Sequence, residues 1–128
     1  MDKNPLLKLF VSESQDINNQ ELSDLLLPYL TINKESGGFD FTQSFRELSN
    51  TEMILILLAA LKARHIVLNT DEKISPSEII KMEIMPSGSA KSAIKKLFDE
   101  GDIKSDNGKY YLPNYKISKV ITTLKIKF

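Results

Sequence analysis

The sequence predicts a mainly α-helical chain that carries one small antiparallel β-hairpin. Two stretches, Ser49 to Glu52 and Ser75 to Glu78, have the pattern of a capping box, in which a serine and a glutamate satisfy the orphan backbone donors of a helix start. The pair Asn107-Gly108 is typical of the type I′ turn that closes a two-residue hairpin. The 128 residues include no cysteine, so disulfide crosslinks are excluded as a source of stability.

Residues 1–48 are predicted to form an N-terminal helical extension that packs on a main domain, residues 49–128. The apolar stretch from Leu6 to Val11 predicts a short helix with a broad apolar face. A second helix is predicted from Glu21 to Leu27, because leucines recur on one of its faces and Pro28 then ends it. Both apolar faces need a surface on which to dock.

Residues 31–40 are expected to form a loop. The Gly37-Gly38 pair in it has neither a preceding strand nor the GxGxxG or GKS pattern of a phosphate-binding loop, so a flexible turn is the favoured interpretation. Apolar anchors that would tie this part of the chain onto the main domain are Phe39, Phe41, Phe45 and Leu48.

The helix predicted from Asn50 to Arg64 is apolar almost all round. A helix at the surface is not apolar on all sides. This helix is therefore expected at the centre of the molecule, with other elements on several sides. Residues 66–68 lead out of it, and a short strand there would join the hairpin as a third partner. The longest apolar run, Met53 to Leu61, is far shorter than the about 20 residues that cross a bilayer.

A helix pair is predicted between Ser75 and Gly101. Ser75 caps the first helix and Pro76 takes its first position, while Pro86 to Ser89 break the helical pattern after Met85. The second helix is identified by apolar residues at helical spacing, which are Ala90, Ala93, Ile94, Leu97 and Phe98. The predicted common core contains Leu57, Leu61, Ile79, Ile94, Leu97 and Ile103.

Counting outward from the Asn107-Gly108 turn fixes the register of the hairpin, residues 103–112. Lys104 is expected opposite Tyr111, with both side chains pointing outward, and Ser105 opposite Tyr110. Alternation along the strands then gives the residues of the core face, which are Ile103, Ser105, Tyr110 and Leu112.

The run ISPSEIIKMEIMPSGSAKSAIKKLFDEGDIKSDNGKYYLP resembles a winged helix-turn-helix domain in the order and spacing of its elements. With the preceding helix included, the resemblance covers about residues 50 to 124. It implies that the second helix of the pair, residues 87–99, enters the DNA major groove and that the hairpin, or wing, touches the backbone beside it. Winged helices also serve as protein–protein modules.

Beyond the wing, Pro113-Asn114 begins a last predicted helix. Its apolar residues at helical spacing are Ile117, Val120, Ile121 and Leu124. Many of the last residues are β-branched, which also allows an extended end. An exposed apolar stripe on this helix would be a dimerisation surface, whereas packing back onto the N-terminal helices is the favoured alternative.

The net charge is zero, but the two halves of the chain differ. Residues 1–69 carry a balance of −3 and residues 70–128 a balance of +3, which favours a contact with a polyanion in the second half. No signal sequence is visible at the start of the chain and no membrane-spanning run is present. The sequence therefore predicts a cytoplasmic, intracellular protein that does not enter a membrane.

Residues for catalysis or metal binding are nearly absent. His65 is the one histidine of the chain, and general acid–base, nucleophilic and metal chemistry need convergent partners that the sequence does not supply. His65, at a helix end, is interpreted as structural. We expect no enzyme, no cofactor and no metal.

The predicted function is DNA binding, in a transcriptional regulator or a DNA-associated accessory factor. Helical spacing puts Ser92 and Lys95 opposite the apolar face of the 87–99 helix, and backbone donors at its start favour a phosphate. The helix contains no Arg, Asn or Gln, so modest sequence specificity is expected. The predicted DNA-contacting residues are Ser87, Ser89, Lys91, Ser92, Lys95, Lys96, Lys104, Lys109 and Tyr111.

A protein-interaction module is the alternative function. The acidic, leucine-rich first half would then act as a docking surface and the chain would be an assembly subunit or adaptor. The partners expected are double-stranded DNA, and a second copy or another protein bound through the N-terminal helices or the C-terminal segment.

Overall fold

The computed structural model of the chain describes Leu6 and residues 18–125. Over these residues the predicted class is confirmed, since the chain is mainly helical with antiparallel hairpins. The helices are α1 Asn19–Leu26, α2 Gln43–Arg46, α3 Asn50–Leu68, α4 Pro76–Lys81, α5 Ser87–Asp99 and α6 Ile117–Lys125. The strands are β1 Leu30–Ile32, β2 Phe39–Phe41, β3 Lys104–Asp106 and β4 Lys109–Tyr111, and a 3-10 turn, Asn114–Lys116, precedes α6.

Helix α3 is the centre of the fold, as predicted. The capping box at its start is present, with the Ser49 side chain accepting from the Glu52 N–H and the Glu52 side chain accepting from the Ser49 N–H. Every residue from Glu52 to Lys62 is buried, because α1, α5 and α6 pack around the helix. The six predicted core residues are all buried here, which are Leu57, Leu61, Ile79, Ile94, Leu97 and Ile103.

The end of α3 differs from the prediction. The helix continues to Leu68, so the strand expected at residues 66–68 is wrong. Asn69 ends the helix in the left-handed conformation (φ 59°) and donates its N–H to the His65 carbonyl, a conformation that asparagine tolerates better than most residues. The third partner of the C-terminal hairpin is instead Ile74, whose N–H and carbonyl both bond to Tyr110 at 3.0 and 2.7 Å.

Helix α4, the first helix of the predicted pair, is shorter than predicted. The Ser75 capping box and Pro76 start α4 as expected, but the helix ends at Lys81 and does not reach Met85, because Glu83 takes a positive φ of 57° that no helix continues. Helix α5 ends in a Schellman motif at Gly101, where the Asp102 N–H bonds to the Leu97 carbonyl at 2.9 Å.

The C-terminal hairpin has the predicted register. Lys104 pairs with Tyr111 and Ser105 with Tyr110, and the turn residues Asn107 and Gly108 both have positive φ, 52° and 78°. Burial departs from the prediction at Ser105, which is exposed. The hairpin projects beyond the core at that pair, whereas Tyr110 still packs against the core.

The N-terminal part contains a second hairpin. The loop expected at residues 31–40 is therefore wrong at both ends, which are strands, while residues 33–38, with the predicted turn at Gly37-Gly38, connect them. Strands β1 and β2 pair with Thr31 opposite Asp40. The connection is organised by Asn33, whose side-chain oxygen accepts from the N–H groups of Glu35 and Ser36 at 2.9 Å each. Helix α1 is confirmed with its leucine face buried, while the short helix predicted between Leu6 and Val11 lies outside the described residues apart from Leu6.

Helix α6 is confirmed, and its apolar face is covered by this chain. Packing against α1 and α3 buries the face predicted from spacing, which consists of Ile117, Val120, Ile121 and Leu124. The alternative of packing onto the N-terminal part is therefore confirmed, and the stripe is not exposed as a dimerisation surface. None of the helices within residues 18–125 combines the length and the apolar character needed to span a membrane.

Candidate nucleic-acid interface

Helix α5 divides cleanly into a buried and an exposed side. Its buried side packs against α3 and α4 and consists of Ala90, Ala93, Ile94 and Leu97. On the other side Lys91, Ser92 and Lys95 are exposed, which is the phase that helical spacing predicts. This exposed side also carries one anionic residue, Asp99, in the last turn of the helix.

The start of α5 lacks a side-chain cap. Pro86 occupies the N-cap position, and no side chain among the described residues caps the first-turn N–H groups of Ser87 to Ser89. Ser87 and Gly88 are exposed and Ser89 is half-buried. The partial positive charge of the helix start is therefore directed at solvent, where it favours an anion such as a phosphate.

A groove of about 680 Å³ joins the starts of two helices. Asn50 and Thr51, from the first turn of α3, form one wall, and the first turns of α5 form the other. Lys96 lines the same groove. Three of the predicted site residues, Ser89, Ser92 and Lys96, are brought together there, beside the first turns of two helices.

Not every lysine of the interface carries uncompensated charge. Lys95 Nζ lies 2.7 Å from Asp99 Oδ2 one helical turn away, and this hydrogen bond and charge raise the pKa of Lys95 above its ordinary value. Within residues 18–125 no carboxylate forms an ion pair with Lys91 or Lys96. These two lysines therefore contribute most of the positive charge of α5.

The C-terminal hairpin is attached to α5 by an aromatic contact. The rings of Phe98 and Tyr110 meet edge to face with centroids 5.8 Å apart. On the outer face of the hairpin, Lys104 Nζ lies 5.7 Å from the centroid of Tyr115. The predicted residues Lys104, Lys109 and Tyr111 are thus grouped on the hairpin, beside the C-terminal end of α5.

Lys73 is a further cation of this surface that sequence reasoning missed. Its Nζ lies 5.4 Å from the centroid of the Tyr111 ring and 2.5 Å from Asp106 Oδ2, and the hydrogen bond to Asp106 raises the Lys73 pKa. Lys109 has a similar neighbour, since its Nζ is 3.7 Å from Asp71 Oδ2. The only sequence feature that could have indicated Lys73 is its position next to Ile74, but the sequence predicts the third strand at residues 66–68.

His65 makes a local contact at the end of α3. His65 Nδ1 lies 2.7 Å from the Thr70 carbonyl, so the ring ties the end of α3 to the following turn. No group of three or more His, Asp or Glu within the described part of the chain is arranged to hold a metal ion. The described residues present cations and the first-turn N–H groups of α5 along this helix and the hairpin.

Comparison of the chain with protein-family models, with curated proteins and with solved structures found no match.

Proposed function

We propose that residues 50–125 form a winged helix-turn-helix unit that binds double-stranded DNA. In this proposal α5 is the recognition helix in the major groove and the β3–β4 hairpin is the wing against the backbone. The order of elements supports the assignment, because α3, the bridging residue Ile74, α4, α5, β3 and β4 follow one another as a winged helix requires. The chain would serve as a transcriptional regulator or as a DNA-associated accessory factor.

The observation that carries the proposal is the uncovered side of α5. Its exposed residues are cationic or small up to Lys96, and Phe98 and Asp99 are exposed only in the last turn. No side chain among the described residues caps its start, and none of the other described elements packs over that side. A helix that only supported the core would gain little from an uncapped start, whereas a helix that meets phosphates uses it.

The contacts available favour phosphates over base edges. Helix α5 has no Arg, Asn or Gln, which are the side chains that pair bidentately with purines. Lys91 and Lys96, which lack ion-pair partners within residues 18–125, are the strongest candidates for phosphate contacts. We therefore expect modest sequence specificity and an affinity that depends strongly on salt.

The experiment is a titration of a fluorescein-labelled DNA duplex at several salt concentrations, read by fluorescence anisotropy. Lys91→Glu and Lys96→Glu should each weaken binding strongly, and Lys96→Ala should reduce the slope of log affinity against log salt by about 0.9. The matched control is Lys34→Glu, which makes the same charge change on an exposed residue of the N-terminal hairpin.

Equal losses for Lys96→Glu and Lys34→Glu would contradict the proposal, since binding would then follow net charge and not this surface. Undetectable binding at low salt would contradict it as well. Lys95→Glu tests the same surface with a smaller expected change in slope, because the Lys95 ammonium is already paired with Asp99.

A protein-interaction module is the second candidate, and one observation favours it. Carboxylates lie beside three of the cations on this surface, with Asp99 near Lys95, Asp106 near Lys73 and Asp71 near Lys109. Such local neutralisation lowers the field that attracts DNA. Absent DNA binding, together with a stable complex that Lys96→Glu disrupts, would support this second candidate.

A further inference from the structure

The outer face of the C-terminal hairpin carries cationic and aromatic side chains in alternation. Lys73 Nζ lies 5.4 Å from the centroid of the Tyr111 ring, and Tyr111 is paired with Lys104 across the two strands. Lys104 Nζ in turn lies 5.7 Å from the centroid of the Tyr115 ring. We call these four residues the outer row, which consists of Lys73, Tyr111, Lys104 and Tyr115.

The outer row is centred on the face of the hairpin that points away from the core. On the inner face of β4, Tyr110 packs against the core and Leu112 is fully buried. Tyr111 lies between these two residues and therefore on the opposite face of the strand. All four members of the outer row are half-buried, so part of each side chain meets solvent. Tyrosine, which combines an apolar ring with a polar hydroxyl, is enriched at binding interfaces.

Rings that lie beside cations suit a partner that has flat aromatic groups next to negative charges. An unpaired nucleotide has both, because its base presents a π-face and its phosphate carries a negative charge. In a duplex the faces of the bases are covered by the neighbouring base pairs, so a tyrosine ring cannot stack on them. The chemistry of the outer row therefore fits a single strand better than a duplex.

The exposed side of α5 has a different composition. From Ser87 to Lys96 the helix offers lysines, serines and the N–H groups of its first turn, but no aromatic side chain. These groups suit phosphates and cannot stack on bases. The two surfaces thus favour different forms of nucleic acid, the helix a duplex and the outer row an unpaired strand.

We infer that the outer row binds single-stranded nucleic acid, with its two rings stacked on unpaired bases and its lysines near phosphates of the same strand. This goes beyond the proposed duplex binding, in which the hairpin meets only the backbone, and it does not depend on contacts made by α5. Lys73 Nζ is also 2.5 Å from Asp106 Oδ2, which neutralises part of its charge. Stacking should therefore contribute more to the affinity than charge does.

The first test uses the absence of tryptophan from the chain. In the full chain, Tyr111→Trp and Tyr115→Trp each place one indole in the outer row. Its emission should be quenched by oligo(dT) or oligo(U) of about 15 nucleotides, because an indole that stacks on a base loses fluorescence. The oligonucleotide that quenches identifies the strand as DNA or RNA. The matched control is Phe39→Trp, which should not respond, since Phe39 also lies beside a cation, 4.9 Å from Arg64, but in the N-terminal hairpin.

The second test measures affinity by the fluorescence anisotropy of labelled oligonucleotides. Tyr111→Leu keeps an apolar side chain but removes the ring, so it should weaken single-strand binding about tenfold, whereas Tyr111→Phe should retain it. Lys96→Ala, in α5, should leave single-strand binding nearly unchanged while it weakens duplex binding. Absence of duplex binding alone would thus contradict the proposed function and not this inference.

Absence of quenching in the Tyr111→Trp and Tyr115→Trp proteins would overturn the inference, as would equal quenching in the Phe39→Trp protein. These proteins keep the test decisive if Tyr111→Leu does not fold. Equal weakening of duplex and single-strand binding by Tyr111→Leu would also overturn it, because the hairpin would then meet the backbone of either nucleic acid. Single-strand binding that is lost with Lys96→Ala but kept with Tyr111→Leu would place the strand on α5 and overturn it as well.

Discussion

The two hairpins of this protein have strands of equal length but are stabilised in different ways. The C-terminal hairpin closes through two residues, Asn107 and Gly108, both at positive φ. The N-terminal hairpin closes through the six residues from Asn33 to Gly38, which are held by hydrogen bonds to Asn33. The turn of the C-terminal hairpin is determined by its own two residues, whereas the turn of the N-terminal hairpin has no comparable short sequence pattern.

The two hairpins also differ in their contacts with the rest of the molecule. The N-terminal hairpin is held by a distant helix and by aromatic packing, since Arg64 Nη1 donates to the Gly37 carbonyl at 2.9 Å and Phe41 stacks on Phe45 at 4.2 Å. The C-terminal hairpin is held by a bridge to the buried Ile74, by the edge-to-face contact of Tyr110 with Phe98, and by two ion pairs to Asp71 and Lys73. The side-chain ion pairs of the C-terminal hairpin are thus exposed to solvent, whereas the Arg64 and Phe45 contacts of the N-terminal hairpin are at least half-buried.

Each hairpin contacts a phenylalanine of a neighbouring helix. Replacing these two phenylalanines should show the difference in stability most clearly. Phe45→Ala should lower the free energy of unfolding by about 3 to 5 kcal/mol, because the ring is fully buried and leaves a cavity. Phe98→Ala, which removes the ring that contacts Tyr110, should cost about 1 kcal/mol, because Phe98 is 45% exposed. Urea titrations of both variants measure the difference, and equal losses would show that the hairpins do not differ in this way.

Arg64 tests the polar part of the N-terminal anchor. Arg64→Met keeps an apolar stem but removes the hydrogen bond to Gly37 and the guanidinium that lies 4.9 Å from the centroid of Phe39. We expect a loss of about 1.5 to 3 kcal/mol, as for hydrogen bonds made by charged groups. The matched change in the C-terminal hairpin, Lys73→Met, should cost less because the ion pair is exposed to solvent. A larger loss for Lys73→Met in the same urea titration would reverse the comparison.

The C-terminal hairpin depends on its two-residue turn, and a substitution at Gly108 tests this dependence. Gly108→Ala should cost about 1 to 2 kcal/mol from its φ of +78° alone, since an added Cβ would meet no atom within 4 Å. Gly88→Ala in α5 is the control with the opposite sign, because an open helical site should gain about 0.5 to 1 kcal/mol. Thermal unfolding distinguishes the signs, and a stabilising Gly108→Ala would refute the type I′ assignment.

The same contrast explains what the sequence could predict. The C-terminal hairpin was predicted in register because Asn107-Gly108 carries its information locally. For the N-terminal hairpin the sequence predicts a loop, because the support of this hairpin comes from Arg64, 27 residues after Gly37. Helical spacing predicted the two sides of α5, since burial follows the 3.6-residue period.

The details of the candidate site were less predictable than its helix. The Lys95–Asp99 pair has i, i+4 spacing and was within reach of sequence reasoning. Lys73 was not, because its contact with Asp106 spans 33 residues and depends on Ile74 as the third strand partner. Contacts between side chains far apart in sequence need the fold before they can be identified.

The smallest expected effect comes from pH, which should act on one hairpin only. The Lys73 N–H that bonds to Asp71, and the nearby ammonium groups of Lys109 and Lys73, lower the pKa of Asp71 from its ordinary 3.8. A carboxyl whose pKa is lower in the folded state stabilises the fold above its unfolded pKa, and this stabilisation is lost as pH falls through the folded pKa. Wild type should therefore be more stable than Asp71→Asn at about pH 6, and the difference should shrink toward about pH 2.5.

The effect of Arg64→Met should not change over this range, because the Gly37 carbonyl and the Phe39 ring do not titrate. Urea titrations at both pH values measure the two differences. If the Arg64→Met effect shrinks with pH as the Asp71→Asn effect does, the response is a general acid destabilisation and does not distinguish the hairpins.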